Sequence, residues 1–505
     1  MVPVFEEVPF FDPASCLQAL SGEEHVSFLD SAAKSVNLGR YSFLSFAPFG
    51  IFKVIGGIPF WNDEPLDARP FPALDRLLKR YALPAIDASL PPFRGGAMGY
   101  IAYEAGGLLE RLPSLASPDG EAQDRAPDMV LPFYDVVLAI DHFSTTETGA
   151  TKSRSWIIST GLPAEGDKRE TRAAARLDWF AKKLEAARQC EGLPTPPALK
   201  GWRTNLPGPA FRQAVEQTRE HIRDGDIFQA NITQRFSTPR PKDPAATPLA
   251  YYQQLRERNA APFGAYLDCG DHFVASTSPE RFLTLDVKGQ VETRPIKGTA
   301  PRILDNPNKD RESAEALAAS EKDRAENTMI TDLMRNDLSR VCKPGSVKVP
   351  HLCSLESYAR VHHLVSSVTG QMKPGLGAVA LLGATFPGGS ITGAPKIRAM
   401  EIISDLEKLP RRVYCGSIGY IGFDGAMDMN IAIRTVLFEK DWVHFNTGGG
   451  MTILSDADAE YEESLHKASA IFAALGTSVE EERANLEAPC PEEQDGQTRK
   501  DHKAR

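Results

Sequence analysis

A lysine beside a glycine is the first feature of this chain whose setting suggests chemistry. Lys297 lies in the stretch 292–299 (ETRPIKGT), directly before Gly298. Two β-prone runs, 281–286 and 290–294, precede it and predict a hairpin that ends just before the lysine. Glycine at 298 permits a backbone geometry or a close ligand approach that other residues resist. The lysine is therefore either held rigidly at a site or solvated, which is the commoner case for lysine.

Two predicted helices carry glutamates that could hold a cation. Ser320 can cap the first helix, in which Glu326 leans toward the apolar face. In the second helix, Glu460 and Glu463 are one turn apart, with Lys467 one turn further along the same edge. Partly desolvated carboxylates repel each other unless a cation lies between them, and a hard dication such as Mg²⁺ prefers oxygen ligands. A solvated Glu–Lys ladder is the alternative, and spacing alone favours it.

Three glycine-rich stretches between these helices are predicted to be turns whose amides could bind a carboxylate or a phosphate. They are 387–396, 416–422 and 448–450. Arg434 alternates with apolar residues in a predicted strand, where a guanidinium usually needs a carboxylate partner. His362 and His363 are adjacent, so in a strand their rings face opposite ways and at most one belongs to a site. Each glycine stretch taken singly is more simply explained by turn geometry.

Composition limits the classes of function. The chain has 505 residues, is 42% hydrophobic and has a net charge of −10, which suits one large or two to three ordinary globular domains. The acidic balance indicates no nucleic-acid partner, and no apolar run approaches the roughly 20 residues of a membrane helix. Seven scattered cysteines without a CxxC pair, and no signal-peptide pattern, predict reduced thiols in the cytoplasm.

Proline and glycine content divides the chain into segments. Residues 1–190 alternate short apolar runs with turn signals, and 191–208 form a predicted linker. Residues 209–477 contain the candidate chemistry, and the polar tail 478–505 is predicted to be disordered. Helices and neighbouring strands mix in the second segment, which favours an α+β fold with large antiparallel or mixed β-sheets.

The second segment resembles the chorismate-utilising enzymes, a family that includes anthranilate, aminodeoxychorismate, isochorismate and salicylate synthases. The matching motifs are SPERF (278–282), RPIKGT (294–299), KDRAEN (322–327), DLMRNDLSRVC (332–342), VHHLVS (361–366), FPGGSITGAPK (386–396), GSIGYIG (416–422), NIAIRT (430–435), GGG (448–450) and EYEESLHKA (460–468). The first segment matches more loosely, chiefly through FRGGAMGYIAYE (93–104). The resemblance implies two large packed β-sheets flanked by helices.

Residue 297 separates members of this family. Anthranilate synthases typically read PIAGT there, and aminodeoxychorismate synthases typically read PIKGT, as this chain does. The resemblance therefore implies amination of chorismate by ammonia to 4-amino-4-deoxychorismate, toward 4-aminobenzoate and folate, with the ammonia made by a separate glutaminase subunit. Anthranilate synthase activity is the alternative, followed by a non-catalytic regulator of a glutaminase. Residues 28–31 (FLDS) depart from the LLES of tryptophan-inhibited relatives, which argues against tryptophan inhibition.

The same resemblance implies roles for individual residues. Glu326 and Glu463 would bind Mg²⁺ with support from Glu460, and the ion would hold the ring carboxylate of chorismate. Lys297 would attack C2 as the nucleophile, and Glu280 would protonate the departing 4-hydroxyl. The residues expected to bind substrate are Arg434, Tyr420, Gly449 and Gly450 at the enolpyruvyl carboxylate, His363 and Thr299 along the pocket, and Lys467 at the ring carboxylate.

Overall fold

The computed structural model describes residues 3–36, 38–84, 90–112, 126–145, 151–185, 192–358 and 361–488. In these ranges eleven α-helices flank two β-sheets of twelve strands each. Numbered in chain order, the helices are α1 (Pro13–Ala19), α2 (Pro70–Arg80), α3 (Asp167–Glu185), α4 (Gly208–Arg223), α5 (Pro248–Arg258), α6 (Pro307–Ala319), α7 (Glu321–Val341), α8 (Ala378–Thr385), α9 (Lys396–Glu407), α10 (Ala457–Ala474) and α11 (Val479–Glu487).

Both sheets are antiparallel throughout their described pairings, and the predicted fold class is confirmed. The first sheet contains β1 (Val4–Val8), β2 (Ser27–Asp30), β3 (Tyr41–Ser45), β9 (Val136–Thr145), β10 (Thr151–Ser159), β11 (Arg203–Thr204), β12 (Gln229–Pro239), β13 (Phe263–Asp268), β14 (Phe273–Ser278), β20 (Gly393–Ala394), β23 (Thr435–Phe438) and β24 (Trp442–Met451). The second contains β4 (Gly50–Ile55), β5 (Ile58–Trp61), β6 (Glu64–Pro65), β7 (Gly96–Ile101), β8 (Met129–Tyr134), β15 (Arg281–Leu285), β16 (Gln290–Thr293), β17 (Ile296–Pro301), β18 (Lys348–Ser357), β19 (Val361–Gln371), β21 (Ser417–Gly422) and β22 (Met427–Asn430).

Each sheet takes strands from both sides of the proline-rich stretch 191–208. The first has the order β1-β10-β9-β3-β2-β13-β14-β23-β24-β12-β11, with β20 on β12. The second has the order β17-β19-β16-β15-β22-β21-β7-β8-β4-β5-β6, with β18 on β19. The joins are β2 to β13, where Asp30 lies opposite Gly264, and β7 to β21, where Gly99 lies opposite Gly419. The N-terminal strands therefore extend the sheets that carry the candidate site.

A buried apolar cluster joins the two sheets. It includes Tyr100 and Val130 from the second sheet and Ala265, Val274 and Leu437 from the first. Strands that are covered on both faces carry continuous apolar runs, and all six residues of β8 are buried. Removal of this surface from water favours the packing of the sheets.

Local signals start the two helices that carry the candidate metal ligands. The Ser320 hydroxyl accepts a hydrogen bond from the Asp323 amide at 3.3 Å and begins α7, as predicted. The Asp456 carboxylate accepts one from the Ala459 amide at 2.9 Å and begins α10. These caps satisfy amides that the first helical turn leaves unpaired. Each helix therefore starts at a capping residue that binds the amide three positions further along the chain.

Two of the three glycine-rich stretches predicted to be turns are strands. Gly419 belongs to β21 and Gly448 to β24. A Cβ on Gly419 would lie 2.1 Å from the carbonyl oxygen of Asp428, and a Cβ on Gly448 would lie 2.1 Å from that of Ile232. The prediction was wrong because a close approach of two backbones selects glycine just as a turn does.

The predicted disordered tail begins too early. Residues 479–487 form α11, which is capped by Ser478 and buries Leu486. Glu482 accepts hydrogen bonds from the amides of Gly201 and Trp202, at 3.3 and 3.0 Å. The polar composition of this segment concealed it, since a few apolar contacts and one buried carboxylate are enough to dock a short helix. Residues 489–505 of the predicted tail lie outside the described part of the chain.

The sequence predicts that the chain has no membrane-spanning helix and that its cysteines are reduced. Within the described ranges, no helix is both long and apolar enough to cross a bilayer. The longest of them, α7, has 21 residues and mixes charged with apolar side chains. Five cysteines in the described ranges are buried and free, and Cys190 and Cys490 lie outside those ranges.

Candidate active site

Lys297 lies on β17 at an irregularity in its pairing with β19. The register shifts between Lys297 and Thr299, where Gly298 has a φ of +80°. Another residue at 298 would be strained, and its Cβ would lie 2.9 Å from Asp323 Cγ. The irregularity directs the lysine toward α7, so that its Nζ lies 3.8 Å from Glu326 Oε2. The predicted glycine geometry thus positions the lysine against a helix that carries a carboxylate.

The end of β24 lies against the same lysine. A Cβ on Gly450 would lie 3.1 Å from Lys297 Nζ and 2.3 Å from Gln229 Nε2. Gln229 is almost fully buried, and its Oε1 makes no hydrogen bond to any residue that the structure describes. Sequence reasoning missed Gln229 because a glutamine at the start of a strand carries no special signal. Because Gly450 has no side chain, Lys297 Nζ and the side-chain amide of Gln229 can lie close to the backbone at this position.

Glu280 is buried where β14 leads into β15. Its amide donates to Ser278 Oγ at 3.3 Å, and its carbonyl accepts from the Ile431 amide at 3.0 Å. Its Oε1 has no hydrogen-bond partner in the described ranges. Burial raises the pKa of Glu280 to about 7, against the opposing effects of Ser390 and Lys297. A carboxyl that is half protonated near neutral pH can donate a proton to a leaving group.

Arg434 lies between β22 and β23 and not in the predicted strand. Its φ is +52°, a strained value for a non-glycine residue, and its side chain is partly buried. Nη1 donates to Asn259 Oδ1 at 3.3 Å, and none of the described carboxylates pairs with it. Burial lowers the pKa of Arg434. A partly buried guanidinium without a carboxylate partner among the described residues is suited to an anionic group of a substrate.

His363 lies near Arg434 and faces β17. Its Nδ1 is 2.9 Å from the hydroxyl of Thr299. Burial, and after it the charge of Arg434, lower the pKa of His363 to about 4, so the ring is neutral at neutral pH. His362 points the other way, with Nε2 3.2 Å from Asp310 Oδ1. The prediction that the two rings face opposite sides is confirmed.

Three carboxylates from α7 and α10 meet three lysines. The ion pairs are Glu463 with Lys467 at 2.8 Å, Glu460 with Lys322 at 3.2 Å, and Glu326 with Lys297 at 3.8 Å. Lys467 also donates to the carbonyl of Gly448 at 3.0 Å, so it bridges α10 and β24. Sequence reasoning missed Lys322, since a lysine in the first turn of a helix is usually solvated. We call these six side chains the carboxylate–lysine cluster.

The two glutamates predicted as principal metal ligands have different surroundings. Burial raises the pKa of Glu326, partly offset by Lys297 and Lys322. Glu463 is 51% exposed, and although partial desolvation raises its pKa, Lys467, with help from the other two lysines, leaves that pKa lowered. Gly449 lies against these groups: a Cβ there would lie 3.4 Å from Lys467 Nζ, 3.5 Å from Glu460 Oε2 and 3.8 Å from Glu463 Oε1.

The donor chemistry of the carboxylate–lysine cluster fits Mg²⁺. Its three possible ligands offer only carboxylate oxygens, which a hard dication prefers. In the described ranges, however, no three His, Cys, Asp or Glu side chains are close enough together to hold one ion. Ammonium groups occupy the space among the carboxylates. A dication would have to take over part of the charge compensation that these lysines provide.

Tyr420 is not brought together with the other predicted site residues. It lies on β21 with its ring packed against Phe93 at 4.7 Å and Phe43 at 5.5 Å. It lines a separate cavity of about 280 Å³, whose wall also includes Asp30 of the FLDS stretch. Asp30 is bonded to Arg256 at 2.7 Å. The glycine-rich motif around Tyr420 predicted a site residue. The alternation of side chains along β21 instead directs its ring into the packing between the sheets.

Comparison with known proteins agrees with this fold. The sequence profile of the chorismate binding enzyme family matches residues 30–473. The chain is 41% identical over 382 residues to aminodeoxychorismate synthase component 1 of Salmonella typhimurium, covering 75% of this chain and 77% of that protein. It is 36% identical over 469 residues to anthranilate synthase component 1 of Thermus thermophilus, covering 92% of this chain and 95% of that protein.

A solved structure shows the same architecture. Anthranilate synthase component I from Streptococcus pneumoniae TIGR4 superposes with a TM-score of 0.72 at 30% identity, covering 87% of this chain and 93% of that one. The family profile spans most of the chain, from the first sheet's β2 almost to the end of α10. This chain therefore belongs to the family of chorismate binding enzymes.

Proposed function

We propose that the chain is the aminating component of an aminodeoxychorismate synthase, which converts chorismate and ammonia to 4-amino-4-deoxychorismate. Relatives of that name with 38–41% identity support the assignment, and so does the lysine of PIKGT. One observation carries the proposal: Lys297 lies close enough to Glu280 for its charge to oppose the rise of that carboxyl's pKa to about 7. A nucleophile and a proton donor are the two groups that displacement of a hydroxyl requires.

The charges of the site match a substrate with two carboxylates. Arg434 would pair with the enolpyruvyl carboxylate, together with the backbone of Gly449 and Gly450. Lys467, whose Nζ lies 3.4 Å from where a Cβ on Gly449 would stand, would pair with the ring carboxylate. His363 is neutral and hydrogen-bonded to Thr299, so it would shape the pocket without adding charge. Binding of the two carboxylates would orient the ring and leave C2 accessible to Lys297.

The reaction would then proceed in two displacements. The neutral amine of Lys297 forms a bond from Nζ to C2, the ring double bond shifts, and the 4-hydroxyl leaves as water with a proton from Glu280. Ammonia then bonds to C4, the double bond shifts back, and the lysine leaves C2. The net result exchanges a hydroxyl for an amino group. Glu280 suits the first step because its burial keeps a proton available near pH 7.

We further propose that Glu326, Glu460 and Glu463 hold Mg²⁺. When bound, the ion would supply Lewis-acid stabilisation at the ring carboxylate. Glu326 and Glu463 come from different helices, so the site also depends on how α7 and α10 pack against the sheets.

Replacement of either glutamate should therefore weaken both metal binding and turnover. Glu326→Gln and Glu463→Gln are each expected to lower kcat/KM by about 10²-fold, because the amide cannot replace a charged oxygen ligand. Glu462→Gln is the matched control, since Glu462 is exposed on the same helix and pairs with Arg483 at 2.8 Å. Full activity of the unchanged protein in excess chelator would contradict the metal assignment.

Identification of the product tests the proposed function. We expect the purified chain, given chorismate, MgCl₂ and ammonium chloride, to form 4-amino-4-deoxychorismate, as detected by liquid chromatography and mass spectrometry. Glutamine in place of ammonium should give no product. The reason is that Cys415 has glycine on one side only, unlike a glutaminase nucleophile, and burial raises its pKa to about 12. Release of anthranilate and pyruvate would instead assign the chain to anthranilate synthesis.

We propose that a separate glutaminase subunit supplies the ammonia in the cell. The names of the relatives, which are numbered as component 1, support a second component. Addition of a glutaminase partner should make the amination depend on glutamine without changing the product.

A further inference from the structure

Lys322 is the member of the carboxylate–lysine cluster to which the proposed reaction gives no role. It lies in the first turn of α7, one turn before Glu326. Its Nζ is 3.2 Å from Glu460 Oε1, and the same oxygen accepts a hydrogen bond from Ser455 Oγ at 2.6 Å. The Lys322 side chain is 39% exposed, whereas that of Glu460 is 5% exposed. A partly solvated ammonium therefore neutralises an almost fully buried carboxylate.

The charges of the cluster balance only when Lys322 is counted. Glu326, Glu460 and Glu463 bring three negative charges, and the lysines that pair with them bring three positive ones. Lys297 and Lys467 each serve the substrate in the proposed reaction. Lys322 interacts with all three carboxylates and not only with the one that it contacts. Lys322 thus compensates the charge of the carboxylates that would bind the dication.

We propose that Lys322 sets the Mg²⁺ affinity of the free protein and makes metal binding depend on the dianionic substrate. This inference rests on the proposed function, since it takes the three glutamates to be the metal site. With Lys322 in place the cluster is neutral, so a dication alone adds an uncompensated charge of about +2 to a partly buried site. Chorismate, with two carboxylates, restores the balance. Metal and substrate should therefore bind weakly alone and tightly together.

The geometry allows Lys322 to act in this way without being a ligand or a catalyst. Glu460 Oε2 lies on the side of Gly449, 3.5 Å from where a Cβ would stand, while Oε1 carries the contact to Lys322. An ion bound through Oε2 would leave the ammonium close by and experience its repulsion. A flexible, half-exposed lysine can relieve that repulsion by turning toward water, at the expense of its contact with Glu460. When chorismate is bound, its two carboxylates compensate the charge of the ion, and Lys322 can keep its contact with Glu460.

Calorimetric titration of the full chain with MgCl₂, without substrate, tests the proposal. Lys322→Met removes the charge and keeps most of the side-chain volume, so it should bind Mg²⁺ about tenfold more tightly than the unchanged protein, a difference of about 1.4 kcal/mol. Lys322→Arg keeps the charge and should bind with unchanged affinity, within about threefold. Lys200→Met is the matched control, since Lys200 pairs with Glu481 at 3.5 Å on the surface.

Thermal unfolding gives a second readout that does not depend on catalysis. Lys322→Met should unfold at a lower temperature than the unchanged protein without metal, because three carboxylates then face two lysines. It should gain more from added MgCl₂, since tighter binding stabilises the folded state further.

The outcomes separate this inference from the proposed function. Unchanged or weaker Mg²⁺ binding by Lys322→Met, with normal binding by the unchanged protein, overturns the inference and leaves the metal site intact. Absence of Mg²⁺ binding in every variant, with and without chorismate, overturns the metal site and the inference together. Tighter Mg²⁺ binding by Lys322→Met, together with unchanged binding by Lys322→Arg, supports both the metal site and the inference.

Discussion

Replacement of Lys297 by alanine is expected to lower kcat/KM for ammonia-dependent amination of chorismate on the order of 10³-fold. Lys297 is the proposed nucleophile, and its Nζ is held between Glu326 and the backbone at Gly450. Alanine leaves only direct attack by ammonia, which the site does not position. Lys288→Ala is the matched control, because Lys288 is exposed in the turn of the preceding hairpin. Steady-state rates with saturating ammonium would measure the difference.

The same mechanism predicts a covalent intermediate on this residue. When ammonia is withheld, an adduct of chorismate minus water should form on Lys297, since only the reverse step or slow water attack remains open. Digestion and mass spectrometry would locate it, and a slow substrate analogue would increase its yield. Lys297→Arg should form no adduct, because a guanidinium stays protonated at working pH. Turnover of the analogue without modification of Lys297 would show that ammonia attacks directly.

Replacement of Glu280 by glutamine is expected to reduce formation of the Lys297 adduct by about 10²- to 10⁴-fold, the usual contribution of a general acid. Burial with few hydrogen bonds raises the pKa of Glu280 to about 7 from its ordinary value of 4.5. The protonated form is the active one, so titration of Glu280 should make the rate fall about tenfold per pH unit above pH 7. Glutamine at 280 should remove this dependence on pH.

Measuring the adduct without ammonia keeps this test clear. The fraction of free ammonia rises with pH and would mask a decline in an amination assay. Glu312→Gln serves as the matched control, since Glu312 is exposed on α6. A profile for Glu280→Gln that matches that of the unchanged protein would remove Glu280 from the proton transfer.

Local chemistry in the sequence determined several parts of the structure directly. The hairpin of β15 and β16 pairs Leu285 with Val291 across the predicted turn, because alternation and turn residues act over a few positions. The cap at Ser320 and the positive φ of Gly298 follow from single residue types in the same way. The order of the family motifs then indicated which lysine and which glutamates belong to one site. No single spacing could have separated these residues from solvated ones.

Only the tertiary structure decided how these residues are surrounded. Burial gives Glu280 its raised pKa, and burial comes from strands far apart in the chain. Gln229 and Lys322 enter the site because β12, β24, α7 and α10 meet there, although neither residue has a distinguishing local pattern. Tyr420 leaves it because of the side on which its strand presents the ring. Residue type and short-range spacing determined which groups could act, while the pairing of distant strands determined which of them meet, since desolvation and charge coupling act through space and not along the chain.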